Sequence, residues 1–451
     1  MKSAAFLTIA ALLCGCGADR GFAQTAALDR STIPAARLAG APASAKIRHV
    51  VIVFQENRSV DDLFNGLRGA DTVKTGLDSH NRRVSLAPIS LTAPYDISHE
   101  HSAFLVERAN GKLNGWDLVH SSCRTPARCP GPQRRAFGYV PRPEVEPYFT
   151  MAERYTFADR MFQSNEGPSF PAHQYIISGT STLANGSQLR AASNAFKPLG
   201  GFTGGCDSPP GSFVYVIDAA GNENQATYPC FNRTTIMDLL EQKALSWRYY
   251  QQDHGAGLWE APDAIWHIRH SKEFTTDVVF PPKQLLKDIS AGRLANVVWV
   301  TPTSEASDHG GTTNGTGPSW VATVVNAIGR SQYWNNTAIF VTWDDWGGWY
   351  DHVPPPSYNS YELGFRVPLI VISPYAKQRY ISQKQHEFGS ILKFIEVTFG
   401  LPSLGTTDVR SDDLSDCFDF GGAPRRFVPI EAPLGPRYFL NQPESTEPID
   451  Y

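Results

Sequence analysis

Hydrophobic residues fall into two alternating kinds of segment along this chain. Short apolar runs rich in Val and Ile, with no polar face, occupy residues 47–54, 296–300, 338–343 and 367–373, and a more aromatic run occupies 246–250. Runs of that length and composition are the pattern of strands buried on both faces. Between them, segments 234–243, 283–291, 319–329 and 387–399 read as helices. Strands separated by helices of that length predict an α/β fold with a mostly parallel central sheet, covered by helices on both faces.

The first half of the chain is less regular. Segment 141–154 reads as the start of an amphipathic helix, and Ser59-x-Asp61 is a cap signal for a short helix after the first strand. The turn G-P-S-F-P delivers Ser169 into the first turn of a helix that Gly179 stops. The polar, Gly-rich stretch 180–228 has weak periodicity and reads as an excursion over the active-site face. No internal repeat is evident, and beyond residue 402 the chain is loop-rich and expected to wrap the core.

Composition narrows the class. With 451 residues, 41% hydrophobic and 19% charged, the chain has the make-up of a globular protein and not of a disordered or fibrous one. A net charge of −4 gives no basic footprint, so nucleic acid is not an expected partner. Lys2 followed by an apolar stretch over 4–13 reads as an export leader, too short to span a bilayer. Two cleavage patterns coexist: Leu13-Cys14-Gly15-Cys16 resembles a lipoprotein box that would acylate Cys16 and tie the protein to a membrane, and Gly21-Phe22-Ala23 suits ordinary cleavage and release to the periplasm or medium. The expected division is leader 1–23, tether 24–45, a single domain over 46–440 and a tail over 441–451. Once the leader is discounted, an oxidising compartment predicts nearest-neighbour disulfides Cys123–Cys129 and Cys206–Cys230, with Cys417 left as a thiol.

The candidate chemistry sits where the apolar runs stop. Asp344 and Asp345 follow the run 338–343, and Glu56, Asn57 and Arg58 follow 47–54. Ser304, Glu305, Asp308 and His309 follow 296–300. In an open parallel sheet these ends share the edge where ligands bind. Adjacent carboxylates repel, and burying them costs several kcal/mol unless something positive lies beside them. A divalent cation is the usual answer; a solvated turn is the alternative, and Trp343, Trp346, Trp349 and Tyr350 beside the pair argue against it.

These clusters sit in segments that resemble the bacterial phosphoesterase family of secreted phospholipases C and acid phosphatase A type enzymes, within the alkaline-phosphatase-like superfamily. The matching segments are HVVIVFQENRSVDDLFNGL, DISHEH with NGKLNGW, GPSFPAHQYIISG, SDHGG, WDDWGGWYDHVPPP, GFRVPLIVISPYAK and FGSILKFIEVTFGLP, in the family's order from Arg48 to about Pro402. The resemblance implies a metal-dependent hydrolase of phosphate esters, either small esters or phospholipid head groups, acting through a phosphoserine. A catalytically inactive phosphate- or lipid-binding envelope protein on the same scaffold is the other expectation. The resemblance further implies Ser169 as nucleophile, a metal held by Glu56, Asn57, Asp344, Asp345 and Ser169, and His99 and His309 on the substrate phosphate. Two departures from the family pattern stand out. Asp345 replaces the usual Glu, and Ala172 stands where Asn often follows S-x-P.

The donor chemistry agrees with that expectation. Carboxylate and amide oxygens suit Mg, Ca or Mn and are acceptable to Zn, and a serine hydroxyl needs a metal or a base to become a nucleophile. Each residue also has a plainer reading. Glu56 could pair with Arg48 or Arg58, Ser169 could be only a helix cap, and His101 competes with His99. His352 reads as a structural or supporting histidine, His267 and His270 as one helical face, and His386 as lying near a helix start. Trp259, Trp346 and Trp349 would either line a cage for a choline-type cation or simply pack.

Overall fold

The computed structural model describes residues 46–449, so the leader, the cleavage patterns at Cys16 and Ala23 and the tether lie outside the described residues. Eight strands form the central sheet: β1 (His49–Gln55), β2 (Thr156–Ala158), β3 (Trp247–Tyr250), β4 (Val278–Val279), β5 (Val297–Val300), β6 (Thr337–Trp343), β7 (Leu369–Ile372) and β8 (Tyr380–Ser382). Their order is β4-β3-β5-β1-β6-β7-β2-β8. All neighbouring pairs are parallel except those made by β7, which runs against both β6 and β2. The sheet is thus mostly parallel, as the apolar runs predict. The three strands that sequence reading misses, β2, β4 and β8, have only two or three residues each, too few to show a period.

The principal helices are α1 (His101–Arg108), α2 (Glu146–Arg154), α3 (Ser169–Ser178), α4 (Ile236–Gln242), α5 (Gln284–Ser290), α6 (Gly317–Gly329) and α7 (Phe388–Phe399). Alternating residues of β6 reach both layers. Phe340 meets Phe394 of α7 with ring centres 5.1 Å apart, and Trp343 meets Tyr148 of α2 at 5.0 Å on the opposite face. All seven residues of β6 are buried, and each large apolar side chain removed from water there contributes about 1.5–3 kcal/mol. That burial fixes the register, because a slip by one residue would exchange the two faces.

The register decides what happens at the sheet edge. Gln55 of β1 lies opposite Trp343 of β6, so the next residues, Glu56 and Asp344, emerge side by side, and Asp344 N–H donates to Gln55 O at 3.1 Å. The excursion over 180–228 forms small sheets of its own, including the hairpin Ala195–Phe196 with Phe202–Thr203. Cys206–Cys230 closes this region and Cys123–Cys129 closes another loop, while Cys417 is a buried thiol. Beyond residue 402 the chain lies against the core. Phe418 stacks on Phe394 at 5.1 Å, and Asn326 exchanges two hydrogen bonds with the backbone of Ile430.

Candidate active site

Glu56, Asn57, Ser169, Asp344 and Asp345 are all fully buried at this edge. Asn57 takes a left-handed backbone conformation, φ 63°, which Asn tolerates better than most residues. That turn aims its N–H at Asp344 Oδ1, 3.0 Å away. Gly347, φ 63°, closes over it: a Cβ there would come within 2.2 Å of Asn57 O, so only glycine fits. Asp345 Oδ1 accepts from Gly347 N–H at 2.7 Å, which leaves Oδ2 for Ser169, whose Oγ donates to it at 3.2 Å.

Ser169 is the first residue of α3, with Pro168 at the cap position and no side-chain cap bond at that helix end. Its hydroxyl is therefore directed to Asp345 and not spent on the helix. One turn later, His173 stands on the same face, and its Nε2 lies 3.2 Å from Glu56 Oε1 and 3.8 Å from Asp344 Oδ2. Sequence reading assigned His173 nothing, although the i,i+4 spacing from Ser169 on a helix was the available signal. Nitrogen and oxygen atoms of Glu56, His173 and Asp344 lie within 4.8 Å of one another.

The histidines sort clearly. His99 Nδ1–H donates to Ile97 O at 2.8 Å, so Nε2 accepts from Asn57 Nδ2 at 2.9 Å and lies 3.9 Å from Asp345 Oδ2. His309 Nδ1–H donates to Gly310 O, and its ring stands edge-on to that of His99 with centres 5.9 Å apart. His101 turns elsewhere, to Glu223 at 2.5 Å and Glu166 at 3.5 Å. His352 bridges Asp61 and Asp71, His386 bonds Asp412 and Ser382, and His267 bonds Asn232 and Asp238. Trp259, Trp346 and Trp349 are buried, and their rings lie against His173, Phe104 and Tyr95 respectively. Trp346 Nε1 donates to Glu107 at 2.7 Å, and Trp259 stacks on His173.

Arg58, one of two plainer partners considered for Glu56, goes to Asp62, at 3.2 Å. Its other donors reach Asp308 O at 2.8 Å and Leu91 O at 3.1 Å, and its guanidinium covers the Trp349 ring at 4.7 Å. One buried cation thereby ties together the segments leading to His309, to His99 and away from Asp345.

The residues fit a divalent cation. Asp344 Oδ2 and Asn57 Oδ1 are buried without a hydrogen-bond partner in the protein, a condition that costs about 1–3 kcal/mol per group when nothing answers it. Three carboxylates, Glu56, Asp344 and Asp345, are buried together at this edge, and burying like charges side by side is costly unless positive charge lies among them. The oxygen donors suit a hard ion, and the His173 nitrogen makes Mn or Zn as acceptable as Mg or Ca. Beside the cluster, Asp96, His99, Glu100, His120, Asn194 and Phe202 line an open cavity of about 240 Å³.

The His101 bridge makes a stability prediction. Burial opposes the imidazolium, but hydrogen bonds and charge from Glu166 and Glu223 outweigh it and push its pKa up to about 9. A raised folded-state value means that stabilisation is fully present below pH 6.5 and is lost as pH rises through about 9. The difference in melting temperature between wild type and His101→Gln should therefore be largest near pH 6 and shrink toward pH 9.5. A difference constant across that range would show that His101 is neutral in the folded protein.

The sequence carries matching relatives. Hemolytic phospholipase C of Pseudomonas aeruginosa is 25% identical over 447 residues, covering 84% of this chain and 56% of its own length. Phospholipase C A of Mycobacterium tuberculosis is 24% identical over 439 residues, covering 85% and 79%. Non-specific phospholipase C1 of Arabidopsis thaliana is 22% identical over 441 residues, covering 86% and 74%. The chain spans little more than half the length of the two Pseudomonas phospholipases it matches. Among solved structures, an alkaline phosphatase superfamily protein from Vibrio parahaemolyticus is similar at a TM-score of 0.38 and 12% identity, over 82% of this chain and 70% of that one. The model of the Phosphoesterase family matches residues 47–402, most of the chain, and this protein belongs to that family.

Proposed function

We propose that this protein hydrolyses phosphate esters with Ser169 as the covalent nucleophile. The observation that carries the reading is the Ser169 hydroxyl itself, donated to Asp345 from the first turn of α3 inside a buried set of carboxylates and imidazoles. Glu56, Asn57, Asp344 and Asp345 would hold the divalent cation, with Ser169 and His173 at its border. When bound, that ion supplies positive charge that favours the serine alkoxide and balances the phosphate oxygens.

The chain's own groups account for the rest. Asp345 orients the hydroxyl and draws on its proton, and the positive end of the α3 dipole favours the phosphate's approach. Attack by Oγ on phosphorus forms the serine–phosphate bond and breaks the bond to the alcohol. The departing oxygen takes a proton from His99 or His309 once either is protonated at Nε2. Water then attacks the phosphoserine, the Oγ–phosphorus bond breaks, and Ser169 recovers its proton. The relatives' names, both phospholipases C, support a phospholipid diester as substrate, and Asp96 and Glu100 in the cavity that His99 also lines suit an alcohol that carries positive charge.

Parallel assays of purified protein on p-nitrophenyl phosphate and p-nitrophenylphosphorylcholine, with and without added divalent ions, test this reading. Hydrolysis of either with metal supports it; activity on neither leaves only the inactive binding scaffold. Gly347→Ala offers a check on geometry. The added methyl meets Asn57 O, and alanine at positive φ costs about 1–2 kcal/mol in addition. Displacing Asn57 from Asp344 should lower kcat/KM by about tenfold to a hundredfold, with a lower melting temperature. Full activity in the alanine variant would show that the Asn57 contact is dispensable.

A further inference from the structure

We propose that Asn194, carried by the excursion over 180–228, is a further catalytic residue whose Nδ2 donates to a non-bridging oxygen of the substrate phosphate as charge builds there during attack. This rests on the phosphoesterase reading of the Ser169 site and adds to it a donor that the nucleophile's own helix lacks.

A helix start holds an anion through free backbone N–H groups in its first turn. The turn after Ser169 has none to spare. Phe170 N–H donates to Asn194 Oδ1 at 3.0 Å, Pro171 has no N–H, and Ala172 N–H returns to Pro168 O at 3.2 Å. The α3 dipole still favours a phosphate on Oγ, but hydrogen bonds to it must come from elsewhere. Asn194 takes over that role. A backbone N–H can meet only the oxygen of a side-chain amide, so the bond from Phe170 fixes how the amide is turned, with Oδ1 on the helix and Nδ2 away from it. Among the described residues nothing accepts from Nδ2. An amide whose oxygen accepts a hydrogen bond is also polarised into a stronger donor.

Asn194 is 2% exposed and lines the cavity that His99 lines too. Both residues are tied to the nucleophile by short contacts. Asn194 accepts from the residue that follows Ser169, and His99 Nε2 lies 3.9 Å from the Asp345 Oδ2 to which Ser169 Oγ donates at 3.2 Å. The backbone that carries Asn194 is braced on both sides. Ser193 Oγ donates to Asn194 O at 2.8 Å and accepts from Tyr215 N–H at 3.0 Å, while Ala192 O accepts from the Tyr361 hydroxyl at 3.0 Å. A donor held in this way needs no rearrangement when charge develops, the condition under which one donor is worth about a hundredfold to a thousandfold in kcat.

The test compares wild type, Asn194→Asp and Asn194→Leu as full chains with added divalent ion. Each is assayed on p-nitrophenyl phosphate and p-nitrophenylphosphorylcholine, and titrated with inorganic phosphate and with vanadate, which takes the five-coordinate shape of the transition state. Aspartate keeps the oxygen that accepts from Phe170 N–H and loses the donor; leucine loses both. In both variants kcat should fall by about a hundredfold with KM within about threefold, and vanadate should weaken by the same factor as kcat while phosphate changes far less. The aspartate variant should melt at the wild-type temperature. If it keeps kcat within about threefold of wild type, holding Phe170 is all that Asn194 does. That result overturns the proposal, and wild-type turnover leaves the Ser169 reading standing. A rise in KM alone overturns it as well, because the contact would then be no stronger in the transition state than before it. If no protein hydrolyses either ester, vanadate decides. Wild-type binding that weakens by at least about tenfold in both variants supports the Asn194 contact and sinks the Ser169 reading. Vanadate binding that is equal in all three proteins, or absent from all three, overturns the proposal.

Discussion

Ser169→Ala is expected to reduce hydrolysis of p-nitrophenyl esters by at least about a thousandfold, because removing a nucleophile leaves only binding and electrostatic terms. The structural cost should be small. Ser169 Oγ makes no cap bond to its helix, and its donation to Asp345 at 3.2 Å is a hydrogen bond whose net worth is about 1 kcal/mol. Replacing the hydroxyl with a methyl-sized side chain keeps the backbone of α3 and frees one carboxylate oxygen for the cation. Melting temperature and turnover measured on one sample therefore separate the two roles of this residue. A folded alanine variant that kept roughly a third of its activity would have lost under 1 kcal/mol of transition-state stabilisation, and Ser169 would then be a positioning group. A variant that failed to bind phosphate analogues but had no hydrolysis to lose would point to the inactive scaffold.

The edge of the sheet was legible because burial and alternation act on whole segments. A short, β-branched run such as 338–343 fits a strand buried on both faces, which it is, and the charges that follow it then lie at its end. The convergence of Glu56 with Asp344 follows from two such runs being neighbours in one parallel sheet. Sequence alone does not state that β1 and β6 pair, and the register Gln55 to Trp343 emerges only from the packed core. The preference for His99 over His101 followed the Asp96-x-x-His99 spacing. Their different surroundings are tertiary: His99 faces Asn57, while His101 bridges Glu166 and a residue of the excursion, Glu223.

What stayed hidden was set by contacts between segments far apart in the chain. His173 carried only its i,i+4 spacing from Ser169 as a local signal, and nothing in the sequence says that α3 brings it to Glu56. Sequence left a Glu56–Arg58 pair open as the plainer alternative, and only the fold shows the Arg58 donors going to Asp62, Asp308 and Leu91. The short strands β2, β4 and β8 carry no periodic signal and form because partners in the sheet await them. The tryptophans beside Asp345 could be read as a cage or as packing, and only the fold shows which rings they meet, Trp346 on Phe104 and Trp349 on Tyr95. The disulfides, by contrast, were legible from compartment and spacing, since each closes a short Pro- or Gly-rich loop.

Asp344→Asn is expected to remove bound metal and activity together and to change the response of stability to chelation. In the wild type, Asp344 Oδ1 accepts from Asn57 N–H and Oδ2 faces Glu56 and His173 without a hydrogen bond. Asparagine can keep the first contact, but it replaces the second oxygen with an amide donor or turns that donor toward Asn57. Either way one negative ligand is gone, and hydrolysis should fall at least a thousandfold if the charge difference changes the barrier by about 4 kcal/mol. The stability prediction has a definite sign. A cation at a thousand times its dissociation constant stabilises the folded wild type by about 4 kcal/mol, so EDTA should lower the wild-type melting temperature by several degrees and readdition of the right ion should restore it. In the asparagine variant the repulsion among Glu56, position 344 and Asp345 is reduced. The chelated variant should therefore melt no lower than the chelated wild type, and EDTA should barely move it. Metal content by mass spectrometry, melting temperature and turnover on the same preparations complete the measurement. A wild type that purifies without any divalent ion, and whose melting temperature is unmoved by EDTA or by added Mg, Ca, Mn and Zn, would exclude the cation and return these aspartates to a purely structural role.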